Sequence, residues 1–550
     1  MGPREEYPRP NLRRPEWVSL NGEWEFGTGS VEEPRFDATI LVPFCAESKL
    51  SGLGRLPGDV VWYRRRFDAP EAECLLLHFG AVDYRATVWV NDVEVARHEG
   101  GHVPFSADIT RAVSPRDNVL LVRADDPLTD KTIPRGKQYW KETPESIFYT
   151  PTTGIWQSVW LEPVASRRIT RLRFSPDLAS GDLGFVVEGD GRIELVVTLR
   201  GDLVGRWSGA SGSGRVALED VAPWHPDSPV LYDVEVRLLD WDAKVADRVS
   251  SYFGIRSVET RDGRFWLNGE PFVQRLVLDQ GYFAGGLLTA ASDEDLKHDI
   301  ELAMTLGFNG ARKHQKVEDP RWLYWADRLG FLVWSEMPSF HEHSAEAERR
   351  LAAEWTEVVR RDRDHPSVVV WVPANESFGL QEVDASVRSQ FLVRLYELTH
   401  DLDHTRPVVS NDGWEQALTD LCTIHDYSPP ADLACRYRSL DAALDGTASG
   451  HPPYDPGFGY RGEPVLVTEF GGTTLSGSSG WGYHEVAGDK FVAVYGGQIK
   501  ALMDPGPVEG FCYTQLTDVE QEQNGLLTAD RLPKADPEVI RPLTRTPKQR

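Results

Sequence analysis

The rhythm of apolar residues changes once along the chain, near residue 258, and that change constrains the fold more than any other feature. Before it the apolar stretches are short and strand-like. Val60-Val61-Trp62-Tyr63-Arg64-Arg65-Arg66-Phe67, Cys74-Leu75-Leu76-Leu77-His78-Phe79, Ala86-Thr87-Val88-Trp89-Val90, Asn118-Val119-Leu120-Leu121-Val122 and Ser158-Val159-Trp160-Leu161 each lie close to Gly, Pro, Asn or Asp. Many short strands with turn signals predict a β-sandwich of the jelly-roll kind over residues 1–165. Asn91-Asp92 reads as a hairpin turn. Residues 166–257 repeat the theme on a smaller scale. Arg192–Leu199 is strand-like and Leu231–Leu238 alternates, which predicts an immunoglobulin-like sandwich.

From residue 258 to 550 strands alternate with helices. Leu296–Leu306 places apolar residues 296, 300, 303 and 306 on one helical face. Further helices are expected at Pro320–Leu329, Ala345–Arg361 and Val383–Leu402. Strands are expected at 308–312, 331–334, 368–372, 407–410, 421–424, 465–467 and 510–514. A βα repeat of this length fits a (β/α)₈ barrel. A doubly wound sheet is the alternative, but no G-x-G-x-x-G follows the first strand.

The strand at 368–372 is unusual. Val368-Val369-Val370-Trp371-Val372-Pro373-Ala374-Asn375-Glu376-Ser377 runs from β-branched residues straight into an amide and a carboxylate. In a barrel, residues at the carboxyl ends of strands face the catalytic mouth. Glu469 follows the strand at 465–467 in the same way, so the two carboxylates could face each other across that mouth.

The formal net charge of −26 excludes a nucleic-acid partner, which requires a basic face. The five cysteines have no C-x-x-C spacing and read as thiols in a reducing compartment. No apolar run approaches the ~18 residues of a membrane span, and the N-terminus lacks the apolar region of a signal peptide. The expectation is a cytoplasmic protein without a membrane partner.

Several stretches, in this order, resemble glycoside hydrolase family 2, whose members include β-galactosidases, β-glucuronidases and β-mannosidases. They are Leu20-Asn21-Gly22-Glu23-Trp24-Glu25-Phe26, Gly154-Ile155-Trp156-Gln157-Ser158-Val159-Trp160-Leu161, Phe265-Trp266-Leu267-Asn268-Gly269-Glu270-Pro271, Gly307-Phe308-Asn309-Gly310-Ala311-Arg312, Asn375-Glu376-Ser377 and Val467-Thr468-Glu469-Phe470-Gly471-Gly472. The resemblance spans nearly the whole chain. It implies a jelly-roll domain, an immunoglobulin-like domain and a catalytic barrel, in the order read above. It also implies a retaining mechanism with Glu469 as nucleophile and Glu376 as acid/base. Such an enzyme holds its two carboxyl groups about 5–5.5 Å apart. Their environments must push their protonation apart, Glu469 ionised beside Arg312 and Glu376 holding a proton at rest.

By the same resemblance Asn375 donates to the sugar 2-hydroxyl, Arg312 lies in the active-site wall, and Tyr427 hydrogen-bonds the nucleophile. Asp279 and His314 are candidates for sugar hydroxyls, His425 and Asp426 for the site or its surroundings, and Tyr513 for stacking on a sugar face. The chain departs from β-glucuronidases at Glu522-Gln523-Asn524, where those enzymes carry an Asn-x-Lys motif for the sugar carboxylate. A Glu at that place would repel a uronate, which favours a neutral sugar such as a β-galactoside. An α-L-arabinopyranoside or a β-uronide is the alternative, with Lys137 or Lys313 supplying a cation for the latter. A non-catalytic carbohydrate-binding protein is the reading from another class. The loop Pro134–Trp140 of the first domain is expected either to help close the sugar pocket or to contact the barrel. A small carbohydrate is the expected partner, with homo-oligomerisation as an accompaniment. No cofactor is implied. Some relatives use a divalent cation near the site, for which no ligand set is legible here.

Overall fold

The computed structural model describes residues 2–29, 34–445 and 450–549. Its first region is a sandwich of two antiparallel sheets. Six strands run in the order Pro34–Val42, Gly22–Gly29, Val60–Phe67, Asn118–Asp125, Arg85–Val90, Val93–Glu99. Four oppose them, Val18–Ser19, Val159–Val164, Cys74–Phe79 and Phe105–Asp108. Burial alternates strictly along Asn118–Asp125 and Arg85–Val90, as a strand with one wet face requires. The inward set, including Trp24, Phe26, Tyr63, Leu77, Val88, Leu120 and Leu161, fills the space between the sheets. Asn91 and Asp92 both take positive φ, 49° and 66°, the signature of a two-residue hairpin turn whose twist matches the strands.

The second region is built on a long hairpin, Asp182–Leu199 with Asp202–Ala217. A register shift between Val187 and Arg192 bends the first of these strands. Its front half pairs with Arg171–Asp177 and its rear half with Tyr232–Leu239, which in turn pairs with Val245–Phe253. Val187, Ile193, Leu195, Val197, Val236 and Phe253 form its core.

The third region is a parallel sheet wrapped by helices. Its seven strands run in the order Val368–Val372, Leu332–Glu336, Gly310–Lys313, Gln274–Asp279, Val508–Tyr513, Val465–Glu469, Cys422–His425. The strand expected at 407–410 is reduced to isolated bridges, Trp371 to Val408 and Asn375 to Asp412. This segment stands between the two edge strands and makes its own hydrogen bonds, with Val409 N donating to Trp371 O at 2.9 Å. Helices occur at Asp293–Thr305, Pro320–Leu329, Ala345–Asp362 and Ala385–Leu402, close to the sequence expectation. The first of them is opened by a reciprocal capping box between Ser292 and Asp295. None of the described helices is long and apolar enough to cross a membrane.

The pleat decides which side chains reach the barrel interior. Leu276, Leu278, Leu332, Trp334, Leu466 and Cys512 cluster inside. Their sequence neighbours Val277, Ala311, Val333, Val467, Phe511 and Tyr513 pack outward against the helices. In the register Leu278 stands beside Arg312, and Asp279 beside Lys313. Arg312 therefore faces inward, whereas Asp279 and Lys313 face the helix layer.

Candidate active site

The turn after Val368–Val372 carries Glu376. Both Glu376 and Ser377 have φ of 51°, a left-handed conformation that non-glycine residues adopt at a cost of about 1 kcal/mol or more each. Neighbouring chain holds it there. Glu376 N donates to Asp412 O at 2.9 Å, Ser377 N to Asn411 Oδ1 at 3.0 Å, and Ser377 Oγ to Glu415 Oε2 at 2.7 Å. The 407–412 segment that forms no regular strand thus serves as a clamp for this turn.

Glu469 lies opposite. Donor atoms of Glu376, His425 and Glu469 all fall within 4.8 Å of one another. That spacing matches a retaining pair of carboxylates and is too short for an inverting one, which needs ~6.5–9.5 Å to admit a water. Burial works against a charge on Glu469, but His425, Arg312 and the Tyr427 hydroxyl overcome it and bring its carboxyl down to about 2. Arg312 Nη2 donates to Glu469 Oε1, and Tyr427 Oη donates to Oε2 at 2.5 Å. Burial keeps the Tyr427 hydroxyl protonated, and its ring lies 3.6 Å from Tyr483 in a parallel stack.

His425 bridges the pair. Its Nδ1 is 2.7 Å from Glu376 Oε1, and its Nε2 is 3.2 Å from Asp412 and 3.6 Å from Glu469. Burial alone would lower its pKa, but the carboxylates of Glu469 and Asp412 raise it to about 10. The imidazole is therefore a cation at neutral pH. His314, with Nδ1 2.9 Å from Glu336 and 4.0 Å from Glu469, is driven the other way by burial, Arg312 and Lys137, and stays neutral.

Arg312 is fully buried and gathers three carboxylates, Glu336, Asp412 at 2.9 Å, and Glu469. It also donates to Asn375 Oδ1 at 3.2 Å, which fixes the amide and leaves Asn375 Nδ2 without a partner. Sequence reasoning did not single out Glu336 and Asp412. Glu336 nevertheless ends an apolar strand, as Glu376 ends its apolar run.

Three expected site residues lie elsewhere. Asp279 accepts from Lys313 at 2.7 Å and from Gly281 N at 2.8 Å, as a turn residue outside the barrel. Asp426 accepts from Arg436, from Tyr437 at 3.0 Å and from Ser428 N at 3.0 Å, anchoring the helix Pro430–Arg436. Tyr513 is fully buried among Phe470 and Tyr495 in the core and offers no face to a sugar. The pleat explains Asp279 and Tyr513, since both stand on the outward positions of their strands.

The first domain supplies one wall of the mouth. Arg135 N and Gly136 N donate to Ser339 O at 3.1 and 3.0 Å, and His341 N donates to Lys131 O at 2.8 Å. Gly136 has φ of 58°, and a Cβ there would stand 2.4 Å from Gln315 O, so only glycine lets the loop press this closely. Trp140, Phe148, His341 and Phe378 form a half-buried ring cluster beside the Glu376 turn. Tyr149 Oη donates to Glu522, which also accepts from Asn524 at 2.9 Å. Burial raises the Glu522 carboxyl above its usual range, against the pull of Lys137.

Glu376, His425 and Glu469 are also the one described trio at metal-ligand spacing. Arg312 and Tyr427 already occupy both oxygens of Glu469, and the set is best read as acid–base machinery.

Residues 44–153 match the galactose-binding-like domain model of glycosyl hydrolase family 2, 168–256 match a second model of the family, and 258–486 match its TIM-barrel model. A β-glucuronidase from Paenibacillus borealis is 28% identical over 97% of this chain and 98% of its own length. A β-galactosidase from Thermoanaerobacter pseudethanolicus is 29% identical over 67% of this chain and 51% of its own. The structure of a Ruminococcus gnavus β-glucuronidase in complex with D-glucuronic acid superimposes with a TM-score of 0.81 at 19% identity, covering 99% of this chain and 100% of that one. Three family models in order and a full-length relative complete the argument begun by the carboxylate pair: the chain belongs to glycoside hydrolase family 2 and is a retaining glycosidase.

Proposed function

We propose that this chain is an exo-acting retaining β-uronidase, with a β-glucuronide as its first substrate. The observation that carries the mechanism is the ionised Glu469 held within 4.8 Å of Glu376. A Glu469 oxygen attacks the anomeric carbon while Glu376 passes a proton to the departing glycosidic oxygen. This forms a glycosyl ester on Glu469 and a free alcohol. Glu376, now a carboxylate, takes a proton from water, whose oxygen attacks the same carbon. The sugar leaves with its original β configuration and Glu469 is regenerated. The protonated His425, 2.7 Å from Glu376, stabilises that carboxylate between the two steps. The partnerless Nδ2 of Asn375 is suited to donate to the 2-hydroxyl, a contact that strengthens in the transition state.

The choice of sugar corrects the neutral-sugar expectation, which rested on repulsion of a uronate by Glu522. Burial drives that carboxyl toward its neutral form, and Tyr149 and Asn524 occupy it. The objection loses its force, and the named relatives weigh toward the uronide alternative. The Paenibacillus enzyme, similar over its full length, is a β-glucuronidase, as are those of dog and cat.

Chromogenic β-glucuronide, β-galacturonide, β-galactoside, α-L-arabinopyranoside and β-glucoside, all with one aglycone, test the reading. The highest kcat/KM is expected on a uronide. A preference for a neutral glycoside would overturn it.

A further inference from the structure

Three lysines are buried among the described residues, and two of them are fully paired. Lys313 lies 2.7 Å from both Asp279 and Glu318, and Lys316 lies 2.9 Å from Glu318 and donates to two backbone carbonyls. Lys137 differs. It is 6% exposed, yet among the described residues no carboxylate lies within 4.0 Å of its Nζ and no acceptor takes a hydrogen bond from it. Its ammonium faces two rings, with the Phe148 centroid at 5.9 Å and that of Phe378 at 5.3 Å. An ammonium with so little water around it and no anion is unfavourably placed, and rings recover only a part of that loss.

Its position is set by construction rather than by chance. The backbone of residues 135–136 is tied to Ser339, and the Gly136 carbonyl accepts from His341 Nε2 at 2.6 Å. Phe378 belongs to the turn that carries Glu376, so Lys137 lies against that turn. Its charge also reaches His314 and Glu522 on the other walls of the mouth. The other cations of the mouth, Arg312 and the protonated His425, are already surrounded by Glu336, Asp412, Glu469 and Glu376.

We infer that Lys137 is the cation that receives the carboxylate of the sugar, so that the first domain, and not the loop around Asn524, reads the acid group. This inference rests on the uronide reading and adds to it the residue that enforces it. A carboxylate entering beside Lys137 supplies the missing anion, and a neutral hydroxymethyl group in its place leaves the ammonium unsatisfied. Discrimination against a substrate that cannot pair a buried charge is large for this reason.

The test compares β-glucuronide with β-glucoside, one aglycone for both, in the wild type, Lys137→Met, Lys137→Gln and Lys137→Arg. The uronide-to-glucoside ratio of kcat/KM is expected to fall about 100-fold in the Met and Gln variants and to recover in large part in the Arg variant. The melting temperature without substrate is expected to stay level or to rise, because the variants remove an unpaired buried charge. A uronide-selective wild type whose selectivity survives in Lys137→Met and Lys137→Gln would overturn the assignment of Lys137 and leave the uronide reading standing. A wild type that prefers the glucoside would overturn both. Variants that melt well below the wild type would show Lys137 to be structural and would equally overturn the assignment.

Discussion

Arg312 and Lys313 are neighbours on one strand, and each organises a buried cluster of charge, yet the two clusters are built to different ends. On the outer face Lys313 and Lys316 meet Asp279 and Glu318, two cations with two carboxylates, at 2.7–2.9 Å. Lys313 and Lys316 overcome the burial of Glu318 and bring its carboxyl down to about 2, so Glu318 stays ionised near neutrality. On the inner face Arg312 and the protonated His425 meet four carboxylates, Glu336, Asp412, Glu469 and Glu376. The excess negative charge cannot be accommodated evenly. Burial and the nearby Asp412 push Glu336 up to about 7 against the pull of Arg312, while Glu469 falls to about 2. Buried charge alone therefore does not mark a reacting site. An unbalanced set, forced to hold its members at different protonation, does.

The comparison can be broken at either cluster. Glu469→Gln removes the oxygen proposed to attack the sugar and relieves the excess charge. It is expected to lower kcat by about 10⁴-fold or more while the melting temperature holds or rises, measured on an activated aryl glycoside and by calorimetry. Glu376→Gln should lower turnover by about 10³-fold on substrates with poor leaving groups and by less on nitrophenyl glycosides, a contrast that identifies a proton donor. Lys313→Met tests the outer cluster. Leaving Asp279 and Glu318 short of a cation is expected to destabilise the fold by about 3–5 kcal/mol in urea titrations, with kcat of the folded fraction within a few-fold of wild type. A Lys313 variant that loses activity without losing stability would erase the distinction drawn here. Tyr427→Phe, which removes one hydrogen bond to an ionised carboxylate, should lower kcat/KM by about 10- to 100-fold.

The sequence makes some of this legible and hides the rest for a physical reason. Asn375, Glu376 and Glu469 announce themselves because each follows an apolar strand directly, and Arg312 and Tyr427 because they sit in family motifs. The three-region order is readable from the switch between strand-only and strand–helix rhythm. What is hidden is the side of the sheet a residue faces, which depends on register. Asp279 and Tyr513 stand one position off from inward neighbours, Leu278 and Cys512, and that single step carries them into the helix layer. Asp412 was missed because its strand is not regular, only a segment bridged at Val408 and Asp412. Glu336 could have been found by the rule that flagged Glu376.

We propose that Glu469, and no other member of the inner cluster, forms the bond to the sugar. A 2-deoxy-2-fluoro β-glucuronide with a good leaving group tests it most directly, because the fluorine slows release of the glycosyl-enzyme more than its formation is slowed with such a leaving group. Digestion and mass spectrometry should find one glycosyl group per chain, on Glu469, and none in Glu469→Gln. An adduct on Glu336 or Glu376, or a first product of inverted configuration, would contradict the account.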